Sequence, residues 1–546
     1  MSFVFNLLIH LKMVLVRYLS WAPLMRQSRA PRTVQEKLLL AILKKNRNTE
    51  FGKAHKFSSI KTYAEYKRLV SVKFYEDLRP LIEKQERKNT PSLNASQPIM
   101  YAQTSGTTGR SKFIPILRKT VSQYRRSQHC VAYAEYLGIP GVFDGKILAI
   151  VSPAVEGSLD TGTPYGSMSG LIYQSMPKFV NEKYVVPPQI FEIKDSDLKY
   201  FLITAFALSE KNITLIATAN PSTLLKIAEI LKNRFNDLVE VIAEGNRYGL
   251  KPNPIRAREL RATSIFGDLT NPLVGSVSFE NIWPNLKSVT TWTGGNCAIQ
   301  IPNVKKLLKQ STKIVEMGYL SSEFRGSITV DVLNNKSIPT IHENFFEFVE
   351  RDQWGEDDPD FLTVDMLGEG QQYYVVVTTQ NGLFRYFIND IVEVDGWFNN
   401  TPTIRFVQKG RGVTNLTGEK LYENHVLEAI RKLKIERSLD FNFFMMLGCP
   451  DKIKYQLFIE EDPESELDTD IVLSLERYLS EINIEFKAKR ESGRLKKTSV
   501  VFLKEGTAEA YRNHCIAEGQ SEGQFKLLHL QEVKDCSFNF DQHRCK

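Results

Sequence analysis

The 546-residue sequence is poor in cysteine and lacks the common metal-binding spacings. Its six cysteines are scattered without a Cys-x-x-Cys pair, and no His-Glu-x-x-His motif occurs. This pattern argues against a disulfide scaffold and a zinc module, and it predicts a reducing compartment, the cytoplasm. A metal site built by the protein alone is not expected.

Sustained basic tracts are also missing. The net charge of +8 is spread over 71 basic and 63 acidic residues, and no basic run is interleaved with aromatic residues. Nucleic-acid binding is therefore not predicted, whereas a mild positive charge suits an anionic substrate. Hydrophobic residues make up 42% and charged residues 25% of the chain, which is typical of a globular protein. Its length predicts two or more domains.

The apolar first stretch, residues 1–23, lacks the features of a targeting or membrane segment. It has neither a basic start nor a small-residue cleavage site, so a signal peptide is not predicted. His10, Lys12 and Arg17 interrupt it before it reaches the ~20 apolar residues that a membrane span needs. We expect a helix packed on the domain and no integral membrane segment, with peripheral membrane contact as the alternative.

Glycine and hydroxyl residues are concentrated between Tyr101 and Ile116, where apolar flanks predict a loop between two strands. The central residues are Thr104, Ser105, Gly106, Thr107, Thr108, Gly109 and Lys112. Glycines let backbone N–H groups approach an anion, hydroxyls donate hydrogen bonds, and lysine adds charge. The loop is predicted to hold phosphate groups, with a polar surface turn as the alternative. The position of the lysine, three residues after the last glycine, excludes a Walker A loop.

The order of predicted elements indicates an α/β protein with a separate C-terminal unit. Helices and strands alternate in the first half, as expected for α/β sheets. Strand signals become denser between residues 313 and 407 and predict an antiparallel or barrel-like subdomain. A glycine-rich break at residues 408–412 is a plausible hinge. Beyond it, mixed helices and strands predict a small α+β domain.

Three further stretches carry residue types suited to nucleotide chemistry. Trp292-Thr293-Gly294-Gly295-Asn296 follows a predicted strand, and its glycine pair would let a flat ring pack on the backbone; a plain turn is the alternative. Residues 317–323 place Glu323 at a strand end, where it could hold Mg²⁺ beside a nucleotide phosphate. The alternative is the start of a helix, with Ser321 or Ser322 as its N-cap. Asp390 follows an apolar segment and could accept hydrogen bonds from ribose, or be a turn residue.

In this order, the stretches resemble the acyl-adenylate-forming enzymes, whose phosphate loop reads Ser/Thr-Ser-Gly-Thr-Thr-Gly-x-x-Lys. Within that superfamily the sequence is most similar to the Gretchen Hagen 3 family of acyl-acid amido synthetases. Family members read close to Tyr-x-Ser-Ser-Glu, Phe-Glu-Phe and Thr-Thr-x-x-Gly-Leu-Tyr-Arg-Tyr. The matching text here is at residues 319–323, 346–348 and 378–386. The resemblance covers nearly the whole chain after its first thirty residues.

The resemblance implies the acyl-adenylate-forming (firefly-luciferase-like) α/β fold. Residues 1–407 would form the large ATP- and acyl-binding domain, 408–412 the hinge, and 413–546 a small mobile α+β domain. The implied activity is that of an ATP-dependent ligase that adenylates a carboxylic acid, releases pyrophosphate, and then transfers the acyl group to an amino acid with release of AMP. ATP and Mg²⁺ are the implied cofactors. We expect a monomer whose partners are the two small substrates.

Site residues are implied in the same way. Lys112, Glu323 and Lys526 take catalytic roles, and Glu323 also holds Mg²⁺. Lys526 lies in Gln524-Phe525-Lys526, which looks like the late Gln-Tyr-Lys of the family; a solvated surface lysine is the alternative. The implied nucleotide-binding residues are Ser105, Gly106, Thr107, Thr108, Gly109, Lys112, Thr293, Gly294, Gly295, Tyr319, Ser321, Ser322, Glu323, Asp390 and Arg411.

Two positions depart from the family pattern Tyr-Arg-x-Gly-Asp. Phe387 replaces an arginine and Asn389 replaces a glycine, although asparagine tolerates left-handed backbone better than most residues. These departures leave a degenerate nucleotide-binding relative as one alternative. An acyl-CoA or acyl-carrier ligase on the same fold, which differs only in the nucleophile, is the other. The substrate pair is not readable, but an apolar, aromatic-lined acyl pocket is expected from four residues, Tyr124, Phe201, Phe206 and Leu215.

Overall fold

A run of helices precedes the first strand. The computed structural model describes residues 2–104, 112–263, 277–354, 359–410, 412–414, 416, 419, 421–460, 470–491, 493, 495–520 and 525–545. The first helices are α1 (Ser2–Val16), a π-helical turn (Arg17–Trp21), α2 (Ala22–Gln27), α3 (Pro31–Asn46), α4 (Glu50–Ala54), α5 (Tyr63–Leu69) and α6 (Tyr75–Lys88). The helix predicted for the apolar N-terminus is confirmed.

This N-terminal helix is packed on one side only, through buried Met13, Val16 and Leu24. Within the described residues, the stretch Leu7–Gln27 has the length and composition of a membrane span. The expectation that His10, Lys12 and Arg17 leave the segment too short for a membrane span is therefore wrong. The length of the segment does not by itself exclude a membrane span.

Two sheets form the first part of the large domain. The strands are β1 (Met100–Thr104), β2 (Lys112–Ile116), β3 (Lys146–Ile150), β4 (Gly157–Ser158), β5 (Pro164–Gly166), β6 (Ile213–Thr218), β7 (Ser288–Thr291) and β8 (Lys313–Glu316). The helices are α7 (Arg118–Gly138), α8 (Met168–Gln174), α9 (Lys178–Asn181), α10 (Ser196–Ser209), α11 (Ser222–Asn233), α12 (Phe235–Glu244), α13 (Pro254–Arg261), α14 (Phe279–Ile282) and α15 (Ile301–Leu307). One sheet is parallel with order β3-β6-β7-β8, and the other has order β2-β1-β5-β4.

The parallel sheet forms the first hydrophobic core. Its strands are apolar runs because helices cover a parallel sheet and leave little of it exposed. Helix α10 is buried along almost its whole length, and its Phe201 and Phe206 belong to this core. The carboxyl ends of β7 and β8 meet at one edge, and this edge carries the glycine pair and the loop with Glu323.

A mainly antiparallel region follows, as predicted. Its strands are β9 (Ser327–Asp331), β10 (Lys336–Pro339), β11 (Phe345–Glu350), β12 (Gln372–Thr378), β13 (Tyr386–Phe398) and β14 (Thr401–Lys409). The last four form one antiparallel sheet, and β9 pairs with β10. Glu347 of β11 is fully buried and bonded to Arg385, so Phe-Glu-Phe and the later Arg-Tyr meet in one buried ion pair.

The C-terminal region has its own core around a mixed sheet of order β19-β18-β17-β20. Its elements are β15 (Val413–Thr414), β16 (Leu421–Tyr422), α16 (Glu423–Arg437), β17 (Phe443–Cys449), β18 (Lys454–Glu460), α17 (Asp470–Ile482), α18 (Ile484–Glu491), β19 (Ser499–Leu503), α19 (Thr507–Ala517) and β20 (Leu530–Glu532). Short 3₁₀ turns occupy Pro188–Glu192, Gly295–Ile299, Arg351–Gln353, Pro450–Lys452, Val533–Asp535 and Phe540–His543. The predicted α+β character is confirmed; the division at residues 408–412 stays a prediction.

Candidate active site

A cavity of about 2220 Å³ brings together residues from distant parts of the chain. Lys112 of β2, Glu323 from the loop after β8, and Lys526 from the C-terminal region all line it. Trp292, Tyr319 and Phe406 supply aromatic surface. Three side chains predicted to act in catalysis, separated by hundreds of residues in sequence, therefore face one space.

A chain of polar contacts links Lys112 to Glu323. The Lys112 ammonium donates to the Tyr386 hydroxyl at 3.5 Å, and that hydroxyl donates to a Glu323 carboxylate oxygen at 3.5 Å. Burial, with the charge of Glu323 second, raises the pKa of Tyr386 well above its usual value. Tyr386 therefore stays protonated and acts as a neutral bridge between the cation and the carboxylate.

Glu323 is 8% exposed and forms no ion pair with any described residue. Among the described residues, its carboxylate accepts one hydrogen bond, the long contact from the Tyr386 hydroxyl. A buried carboxylate that opens into a cavity fits one Mg²⁺ ligand, with substrate phosphates supplying others. The helix-cap alternative is wrong, because residues 317–326 form a loop in which Ser321 bonds the main chain of Phe324.

Asp390 lies inside β13 and not at a strand end, so this detail of the prediction is wrong. The register between β12 and β13 shifts at this point, and Asn389 adopts a left-handed conformation with φ of 60°. Such a bulge lets the strand continue while redirecting one side chain. Asp390 is 2% exposed and accepts a 2.6 Å hydrogen bond from the Tyr319 hydroxyl. Asn389 thus adopts the left-handed backbone that asparagine tolerates better than most residues.

Phe387, which replaces the family arginine, is part of an aromatic cluster. Its ring stacks on Trp354 with centroids 3.9 Å apart and packs against Phe74 and Tyr374. The side chain is 8% exposed and lines the cavity. At this part of the cavity wall, apolar packing of Phe387 thus takes the place of the arginine charge in the family pattern.

The turn of Thr293, Gly294 and Gly295 is held by Glu316, a residue that the sequence analysis missed. The Glu316 carboxylate accepts hydrogen bonds from the Thr293 N–H at 2.7 Å and the Gly318 N–H at 2.9 Å. A Cβ at Gly294 would lie 2.8 Å from the Phe406 carbonyl oxygen, so glycine is required there. Burial raises the pKa of Glu316, and the bonds from Thr293 oppose that shift.

Lys526 reaches the cavity wall beside this turn. Its ammonium lies 4.7 Å from the centroid of the Trp292 ring and 5.6 Å from that of Phe406. Both distances suit a cation–π contact, which holds a charge without neutralising it. Lys526 therefore borders the cavity and is itself exposed, so its catalytic role stays a prediction.

Several predicted residues cannot be placed or lie elsewhere. Ser105, Gly106, Thr107, Thr108, Gly109 and Arg411 lie outside the described residues. β1 and β2 pair antiparallel, as predicted for the strands on either side of residues 105–111. Ser321 and Ser322 line the cavity. Of the expected acyl-pocket residues, Tyr124 and Leu215 line it, whereas Phe201 and Phe206 do not and belong to the core.

Solved structures with the same fold define the class. Over 96% of each chain, the structure matches an acyl acid amido synthetase, GH3.15, with a TM-score of 0.83 and 20% identity. It also matches a 2-hydroxyisobutyryl-CoA ligase in its postadenylation state, with a TM-score of 0.54 and 10% identity over 93% of this chain and 92% of the other. The protein has the fold of the acyl-adenylate-forming enzymes.

The family follows from the sequence matches. Models described as the GH3 family N-terminal, central and C-terminal domains match residues 22–313, 337–409 and 423–534. An indole-3-acetic acid-amido synthetase of Arabidopsis thaliana, GH3.4, is 24% identical over 92% of this chain and 89% of its own. A 4-substituted benzoates-glutamate ligase of the same plant, GH3.12, is 22% identical over 91% and 92%. The chain belongs to the GH3 family, whose named members are amide-forming ligases.

Proposed function

We propose that this protein is an ATP-dependent acyl-acid amido synthetase acting on an apolar carboxylic acid and an amino acid. The observation that carries the proposal is the convergence of Lys112, Glu323 and Lys526 on one cavity. Each comes from a different part of the fold, so the convergence is a tertiary feature and not a local motif. Family membership supports the same reaction.

The first step would be attack of the acid carboxylate on the α-phosphate of ATP. An acyl–O–P bond forms, the bond to the β-phosphate oxygen breaks, and pyrophosphate leaves. Lys112 and the phosphate loop would hold the leaving phosphates, and Lys526 would stabilise charge that develops at the α-phosphate. Glu323 would hold Mg²⁺, and the bound cation would offset the negative charge of the phosphates.

The second step would join the acyl group to the amino acid nitrogen. The amine attacks the acyl carbon, the acyl–O bond to AMP breaks, and the amine proton passes to a base or to water. Lys526 belongs to the C-terminal region, which follows the glycine-containing connector between β14 and β15. Rotation at residues 408–412 would withdraw Lys526 and open the adenylate to the amine.

The cavity supports an apolar acid. Its wall includes Tyr124, Ile172, Tyr173 and Leu215, while its volume exceeds the roughly 300–1,000 Å³ of usual ligand pockets. Space beyond that needed for ATP is therefore present. All six cysteines are free thiols, which supports the cytoplasm as the location, and we propose a monomer.

The proposal is tested by carboxylate-dependent exchange of radiolabelled pyrophosphate into ATP, using aromatic and aliphatic acids. We expect exchange with at least one apolar acid, and a loss of about 10²-fold or more in Lys112→Ala. Lys119→Ala is the matched control, because this exposed lysine at the start of α7 does not line the cavity. ATP binding without exchange across a broad panel would refute the synthetase and leave a degenerate nucleotide-binding protein.

The same assay separates amide formation from thioester formation. A CoA ligase shares the fold, and the two reactions differ in the nucleophile. With the active acid identified, product is expected when amino acids are added and not when CoA is added. Product with CoA alone would replace the proposed function by the ligase alternative.

Glu316 is expected to act as a positioning residue. In Glu316→Ala, the Thr293 and Gly318 N–H groups lose their acceptor, and the two loops that frame Trp292 and Tyr319 are free to shift. We expect kcat/KM for ATP to fall about 10- to 100-fold, mainly through KM. Glu316→Gln keeps one acceptor oxygen, so this variant should retain most of the kcat/KM that Glu316→Ala loses. An unchanged KM with a lowered melting temperature would indicate a purely structural role.

A further inference from the structure

The N-terminal helix presents a continuous apolar face to solvent. Seven of its large side chains are between 47% and 69% exposed: Leu7, Leu8, Leu11, Val14, Leu15, Tyr18 and Leu19. Their spacing of three and four residues places them along one side of the helix. A contiguous apolar stripe of this length is unusual on a protein surface and indicates a contact site.

The opposite side of the same helix is attached to the fold. Met13, Val16 and Ser20 are buried, and the Trp21 ring packs on Tyr133 of α7 with centroids 5.4 Å apart. The His10 ring also bonds the Tyr136 hydroxyl at 2.5 Å. Because these contacts hold the helix along the domain surface, it can contact a bilayer lengthwise without leaving the fold.

The charged side chains of the first 35 residues have one sign. Lys12, Arg17, Arg26, Arg29 and Arg32 precede the first acidic residue of the chain, Glu36. Of these, Arg17, Arg26 and Arg29 are exposed and make no ion pair with a described residue, whereas Arg32 pairs with Glu36 and Asp365. An apolar stripe with unmatched arginines at its side and end is complementary to a membrane surface with anionic headgroups.

We propose that residues 7–19 dock this protein in the plane of an anionic lipid membrane. The leucines enter the acyl region and the arginines contact the headgroups. A second copy of the chain is the less suitable occupant. A two-fold interface through this helix would bring no acidic partner from the same segment to these arginines, because residues 1–35 contain no Asp or Glu. The inference does not depend on the proposed reaction.

The experiment is co-sedimentation of the full chain with vesicles of phosphatidylcholine alone or mixed with phosphatidylserine. Binding is expected to the mixed vesicles and to weaken with salt. Leu11→Glu/Leu15→Glu should reduce the partition coefficient by about 10-fold or more, because two apolar anchors become charged. Arg17→Gln/Arg26→Gln should reduce it by about fivefold for each charge removed. None of these four residues lines the cavity.

Ile435→Glu is the matched control, since this side chain is 68% exposed on α16, far along the chain from the stripe. It should bind vesicles as the wild type does. Equal binding to both vesicle types, or no binding, would overturn the proposal. So would a concentration-dependent dimer, seen by light scattering, that Leu11→Glu/Leu15→Glu dissociates. Melting temperatures of the variants show whether they remain folded.

Discussion

Replacing Lys526 by alanine is expected to reduce carboxylate-dependent pyrophosphate exchange by about 10²- to 10³-fold. The exposed Lys526 borders the cavity, and its ammonium lies over the rings of Trp292 and Phe406. A fixed cation in a partly enclosed site stabilises the developing negative charge of the α-phosphate far more than water does. The loss should appear in kcat, because this charge develops in the transition state.

The second half-reaction distinguishes this role from a structural one. Amide formation from chemically prepared acyl-adenylate and amino acid should be nearly unchanged in Lys526→Ala if, as proposed, the lysine serves only adenylation. Lys526→Arg should recover part of the exchange activity, since it restores the charge. Lys497→Ala is the control from the same region, as this lysine is exposed and does not line the cavity. Equal losses in both half-reactions would contradict the assignment.

How much of the site could be predicted depended on whether its signal was local. The pairing of β1 with β2 was predictable, because apolar segments flank a glycine-rich stretch on both sides. Lys112, three residues after the last glycine, begins the second strand. Glu323 was also predictable as an acid after a strand. Its linkage to Lys112 through Tyr386 was not, because that contact joins segments far apart in the chain.

Two misplacements have physical reasons. Asp390 was expected at a strand end, but a bulge at Asn389 lets β13 continue through it, and sequence periodicity does not show a bulge. Phe201 and Phe206 were expected in the acyl pocket, but α10 is apolar on every side and buries them in the core. On such a helix no sequence signal separates the pocket side from the core side.

Glu316 and the Glu347–Arg385 pair illustrate what the sequence does not reveal. An acid at the end of a short strand is usually a surface residue, and the partners of Glu316 are main-chain N–H groups that carry no sequence signal. Glu347 and Arg385 stood in the two motifs that carried the resemblance, yet nothing in the motifs showed that they bond to each other. In the structure, the two motifs stabilise the fold together, because each supplies one partner of this buried ion pair.

Arg385→Met is expected to destabilise the large domain by about 3–5 kcal/mol. Glu347 is fully buried, and Arg385 gives its carboxylate two contacts from Nε and one from Nη2 at 2.9–3.1 Å. Without the guanidinium, the carboxylate keeps the Tyr63 hydroxyl, at 3.0 Å, as its neutral donor. Arg385 also donates to the carbonyls of Lys67 and Val70, so α5 loses an attachment.

Urea unfolding followed by tryptophan fluorescence measures this change in the relevant region. All five tryptophans, Trp21, Trp283, Trp292, Trp354 and Trp397, lie before residue 408, so the signal reports mainly the large domain. Trp292 also contacts Lys526 of the C-terminal region. Arg87→Met, which removes an exposed helix ion pair with Glu83 on α6 of the same domain, is the control and should cost about 1 kcal/mol or less. Methionine at position 385 meets the same left-handed backbone, with φ of 44°, as arginine does, so backbone strain is matched.

The double variant Glu347→Leu/Arg385→Met separates the pair from the surrounding packing. If the cost of each single variant is the cost of an uncompensated buried charge, the double variant should be more stable than the sum of the two single losses predicts. A favourable coupling of about 2 kcal/mol or more is expected, within the range measured for buried partners. Additive losses, or a loss in Arg385→Met no larger than in Arg87→Met, would show that the ion pair is not what holds these two segments together.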